Sequence, residues 1–76
     1  MYHFLVVIEK GENNYRAYAP DLPGCVATGE SLEDVEKNMR EAMGLHVKGM
    51  MANQRPIPRP RAVARYMDVT IPRLRA

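Results

Sequence analysis

Only one stretch of this chain carries a helical rhythm, and three prolines close it off. Leu32, Val35, Met39, Met43, His46 and Met50 recur at i, i+3, i+4 spacing, with Ala42 beside them. Glu33, Glu36, Lys37, Arg40, Glu41 and Lys48 fill much of the opposite side. Ser31 is an N-cap residue with Asp34 three positions on, and Glu33 and Glu36 place negative charge where the helix dipole favours it. The helix is expected over 31–53, because Pro56, Pro58 and Pro60 lack the backbone donor that continuation requires. Gly44 and Gly49 either weaken its last turns or admit another backbone. A chain with one helix can cover a sheet on one face only.

The remaining segments read as strands and turns. Residues 2–9 are rich in β-branched and aromatic side chains and alternate Tyr2, Phe4, Val6, Ile8 against His3, Leu5, Val7, Glu9. Both sets are largely apolar, so cover is expected on both sides. Lys10 to Asn14 supplies turn chemistry, and 15–19 returns as the second strand of a hairpin. Pro20-Asp21-Leu22-Pro23-Gly24 cannot continue a ladder, and Asp21 there is expected to cap its own turn by accepting from nearby backbone N–H groups. A short third strand follows at 25–29. After the helix, 55–61 is a Pro/Arg connector of polyproline character. Residues 65–71 alternate Arg65, Met67, Val69, Ile71 against Tyr66, Asp68, Thr70 and read as a last strand, with 73–76 a fraying end. The expectation is a single α+β domain over 1–76, ordered β-β-β-α-β, with one helix on one face of a small sheet.

With 76 residues, 46% of them hydrophobic, the chain is globular but its core is marginal. The face left bare by the single helix is expected to be covered by association, so a homo-oligomer, a dimer or higher, is inferred. The net charge of +2 hides a division. Residues 1–54 carry five basic and eight acidic side chains, whereas residues 55–76 carry six arginines against Asp68 alone. This asymmetry points to an anionic partner for the basic end, or to contact between that end and the acidic body of another copy. No apolar run approaches the roughly 18–20 residues of a membrane span, and Met1 leads straight into a strand with no basic leader, so a cytoplasmic protein without membrane association is expected.

Little here has the pattern of catalysis. The five glycines form no phosphate loop. Cys25 with His3 or His46 as base would need adjacency, and a buried structural cysteine is the simpler reading. His3 and His46 lack a third metal ligand, and Glu9, Asp21, Glu30 and Asp68 show no paired arrangement for acid–base work. The expectation is a non-enzyme with no cofactor and no metal.

Tyr18-Ala19-Pro20-Asp21-Leu22-Pro23-Gly24-Cys25, then Ala27-Thr28-Gly29 and the capped acidic helix start, resemble the HicB family of antitoxins. Asn38, Glu41-Ala42, Leu45-His46 and Ile57-Pro58-Arg59-Pro60 follow in the same order, so the likeness spans nearly the whole chain. The resemblance implies a β-β-β-α-β domain described as a partial ribonuclease H-like fold, without nuclease activity. It also implies a partner: HicA, a small basic toxin that cleaves mRNA and whose active site the antitoxin blocks. The C-terminal DNA-binding segment of many HicB proteins is not expected here, because the chain stops at Ala76. Tyr15, Tyr18, Asp21 and Leu22, at the hairpin and turn, are the candidate partner-contact residues. The competing reading is a small RNA- or DNA-binding module that uses Arg55, Arg59, Arg61 and Arg65, although Tyr66 alone could stack on a base there.

Overall fold

The computed structural model describes residues 2–73. Three strands, β1 (Val7–Lys10), β2 (Tyr15–Tyr18) and β3 (Val26–Gly29), precede one helix, α1 (Leu32–Ala52). The sheet is antiparallel in the order β1-β2-β3, with Val7 opposite Tyr18 and Tyr18 opposite Val26. The hairpin closes where the Gly11 N–H donates to the Asn14 carbonyl at 2.7 Å. Between β2 and β3 the Leu22 N–H donates to Ala19 O and the Cys25 N–H to Leu22 O, both at 3.0 Å, with Gly24 at φ +85°. These two turns fold the apolar Leu22 side chain inward.

The helix begins as its capping residues dictate. The Ser31 hydroxyl accepts from the Asp34 N–H at 3.0 Å, and Glu33 and Asp34 lie in the first turn. It ends at Ala52, where the Asn53 side chain donates to Gly49 O at 2.9 Å and Gln54 takes the left-handed conformation at φ 55°. Its inner face carries Val35 and Met39 into a core completed by Ala17, Ala19, Leu22 and Cys25. Phe4, Val6, Ile8, Tyr15, Ala27, Ala42, Met43 and Met50 pack around that centre. Leu32 is half exposed, so the apolar stripe enters the core only from Val35 onward.

The seating of the helix depends on Gly29. A Cβ there would lie 2.7 Å from Val35 Cα and 2.8 Å from the Asp34 carbonyl carbon, so β3 and the first helical turn meet backbone to backbone. The Asn38 side chain adds a hydrogen bond to Thr28 O at 2.8 Å. Gly44 and Gly49, by contrast, have nothing within 4 Å of an added Cβ.

Two strand expectations are corrected. The first strand was expected over 2–9, but ladder pairing begins at Val7. The register would place Val6 opposite Ala19, and Pro20 turns β2 away at that point. Residues 2–6 run on outside the ladder, with Phe4 and Val6 still packed on the core. Phe4, Val6 and Ile8 are packed on the core from the helix side, and Leu5 and Val7 on the other side are half-buried. The strand expected at 65–71 is not formed: the segment has no ladder partner and lies exposed. Alternation supplies a strand's faces but not its neighbour, and the chain beyond Ala62 is exposed. The radius of gyration is 16.2 Å, against about 11 Å for a compact domain of this length. Of the expected frayed end, residues 74–76 lie outside the described residues.

Gly29→Ala should destabilise the fold by about 1–3 kcal/mol, because two backbones must separate to admit the methyl group. Gly44→Ala should stabilise it by up to about 1 kcal/mol through helix propensity alone. Urea denaturation followed by far-UV circular dichroism will read both signs.

Candidate functional site

Strand parity decides what each face of the sheet offers. Tyr15, Ala17, Ile8 and Ala27 point toward the helix side and pack on the core. Val7, Glu9, Arg16, Tyr18, Val26 and Thr28 therefore lie on the other face, which no helix or strand of the described residues covers. Register sorts these six into two rows. Val7, Tyr18 and Val26 stand side by side as an apolar band, and Glu9, Arg16 and Thr28 form a polar one. Tyr18 is 39% and Val26 64% exposed. Arg16 Nη2 approaches Glu9 Oε1 at 3.5 Å between two largely exposed side chains, an ion pair that contributes about 1 kcal/mol at most. Tyr18 and Val26 of the first row and all three residues of the second line an open hollow of about 570 Å³. This face is shaped for a macromolecular surface rather than an enclosed small molecule.

The four expected contact residues do not gather on that face. Only Tyr18 lies on it. Tyr15 has the opposite parity and packs on the core, with Lys10 Nζ 6.0 Å from its ring centroid. Leu22 is fully buried, so its expected role as a direct contact is corrected to one in the core. Asp21 is a clamp. Its Oδ2 accepts from the Arg61 N–H at 2.7 Å and the Ala62 N–H at 2.8 Å, tying the β2–β3 turn to the connector 40 residues later. The expectation that it caps its own turn is replaced by this long-range bond. The donors at Ala62 and then Arg61 hold its carboxyl below the ordinary value of 3.8; slight burial opposes them, and the Arg61 charge adds to them.

Arg55, Arg59, Arg61 and Arg65 are all exposed along the connector and beyond. None enters an ion pair among the described residues, where Arg16–Glu9 is the one such contact. Cys25 is buried in the core, and burial pushes its thiol pKa up, away from the thiolate that nucleophilic chemistry needs. Among the described residues no three His, Cys, Asp or Glu side chains converge on a point where a metal could bind. None of their helices is long and apolar enough to cross a membrane.

Comparison with known proteins adds to this geometry. A family model described as the HicB-like antitoxin of bacterial toxin–antitoxin systems matches residues 4–71. A 14.9 kDa protein from the rep-hol intergenic region of Haemophilus phage HP1 is 30% identical over 63 residues, covering 83% of this chain and 47% of its own length. A UPF0150 protein of Synechocystis is 26% identical over 72 residues, covering 93% of this chain and 91% of its own. The chain thus spans about half of the phage relative and nearly all of the cyanobacterial one. Among solved structures, a chain of the HicA3 and HicB3 toxin–antitoxin complex superposes with a TM-score of 0.63 at 29% identity, covering 76% of this chain and 72% of that one.

The clamp yields a pH prediction. A carboxyl whose folded pKa is depressed contributes stability that is fully present above the unfolded value and lost as pH falls through the folded one. The Arg61 and Ala62 amide resonances should therefore shift with a midpoint below 3.8 and level off at higher pH. In Asp21→Ala the same amides should show no such titration.

Proposed function

The chain belongs to the HicB-like antitoxin family, and on that premise we propose that it neutralises a HicA-like, mRNA-cleaving toxin by direct binding. It acts as a stoichiometric binder and not as an enzyme. The uncovered sheet face is the docking surface, with Tyr18 and Val26 at its centre. The observation that carries this reading is the Val7–Tyr18–Val26 row, with Tyr18 and Val26 exposed, on a sheet whose other face is already occupied by α1. Likeness to a chain solved in a toxin–antitoxin complex supports the kind of partner. Charge supports it as well: residues 1–54 carry more acidic than basic side chains, which suits a basic toxin and favours fast encounter. An aromatic side chain in the middle of an apolar row is the usual composition of an interface centre.

Tyr18→Glu and Val26→Asp place charge in that row without touching the core. Each should weaken binding to a HicA-like toxin at least tenfold in titration calorimetry, with the circular dichroism spectrum unchanged. Binding unaffected by both would remove the sheet face from the reading. Failure of the unaltered chain to bind or inhibit any such toxin would remove the antitoxin role itself.

Arg55, Arg59, Arg61 and Arg65, exposed and without an ion pair among the described residues, favour a second reading, in which the basic end also holds nucleic acid. Arg59→Ala with Arg61→Ala should then reduce the slope of log affinity against log salt by about 1.4–1.8, the contribution of two neutralised phosphates. An unchanged slope would rule it out.

A further inference from the structure

The Asp21 clamp has the form of an anion site filled from within. Successive backbone N–H groups of an extended chain point to opposite sides. Those of Arg61 and Ala62 instead converge on one oxygen, at 2.7 and 2.8 Å. The backbone therefore turns around what it binds, as in the concave N–H pairs that hold phosphate and other anions. The chain around this pair is basic. Arg59 and Arg61 are exposed while Pro60 and Ala62 are half-buried, and Arg55 and Arg65 extend the charge in both directions. Into the middle of it Asp21 brings a negative charge from a turn 40 residues earlier. The Ala62 and Arg61 amides, and then the Arg61 charge, hold its carboxyl below the ordinary value, so it is ionised at neutral pH. To an N–H pair and to arginine, a carboxylate oxygen and a phosphate oxygen are the same kind of acceptor.

We propose that the Arg61–Ala62 N–H pair is a phosphate seat for a polynucleotide strand, and that Asp21 is its built-in competitor. The carboxylate fills the seat while no strand is bound and leaves it when a phosphodiester enters beside Arg59 and Arg61. This inference rests on the reading of the basic end as a nucleic-acid contact, and it adds the regulation of that contact. Strand binding and clamp closure oppose each other, and linkage makes the opposition mutual. A strand that takes the seat unties the β2–β3 turn from the connector, and whatever holds turn and connector together weakens the strand. The seat meets phosphate and no base edge, so RNA and DNA offer it the same chemistry.

Fluorescence anisotropy of a labelled single-stranded RNA, and separately of a DNA duplex of the same sequence, reads the competition on the full chain. Asp21→Ala should bind about fourfold more tightly than the unaltered chain, the effect of removing one charge about 5 Å from a phosphate in water. Asp21→Asn keeps an acceptor for the turn and loses the charge; it should also tighten binding, and it decides the matter if the alanine variant loses its fold. Ala62→Pro added to Asp21→Ala deletes one donor of the seat and no charge, so it should abolish the gain. A gain that survives this addition would overturn the proposal, because Asp21 would then act as a distant charge. Tightening on either nucleic acid supports the seat and identifies the ligand. Binding that needs Arg59 and Arg61 but is not tightened by either Asp21 substitution would overturn the seat and leave the nucleic-acid reading standing. No binding by any of these chains at low salt would overturn both.

Discussion

The contact on which the rest of this fold depends is the approach of β3 to the first turn of α1 at Gly29. Because no side chain separates the two backbones, Val35 and Met39 reach past β3 to Leu22, Cys25 and Ala17 and form the centre of the core. Burial of Leu22 alone accounts for about 1.5–3 kcal/mol, a large share in a domain of 76 residues. The same approach has a geometric consequence. A helix drawn close to β3 cannot also lie over β1, and the cleft along Phe4, Val6 and Ile8 is the result.

A second constraint acts on the chain after the helix. Three alternating prolines prevent the connector from forming structure of its own, so its path is set by what it meets. It meets the Asp21 carboxylate, which accepts two consecutive backbone N–H groups. Charge-assisted bonds of this kind are about twice as strong as neutral ones. The clamp thus joins the turn between β2 and β3 to the arginine-rich end and sets where the exposed segment begins.

What was legible in the sequence follows the range of the forces involved. The helix start at Ser31, its end near Asn53, and the hairpin around Gly11–Asn14 rest on chemistry within four residues, and each was readable. The role of Asp21 was not, because its partners lie 40 positions away and carry no local mark. Leu22 was misread for a related reason: within Pro-Asp-Leu-Pro-Gly it resembles an exposed turn tip, but two successive turns fold its side chain inward. For Tyr15 and Tyr18 the signal was available. Positions three apart in one strand have opposite parity, so the two tyrosines could not share a face. The last strand was legible as a pattern without a partner, since alternation says which residues share a side and nothing about which edge receives them.

The size of the bare sheet face limits what it can hold by itself. Three strands of four residues span about 200 Å² in plane, from a rise near 3.3 Å and a spacing near 4.8 Å. A stable protein–protein interface needs about 800 Å² on each partner. The three-stranded face alone is therefore smaller than such an interface, and any partner seated on it must also touch the loops around it.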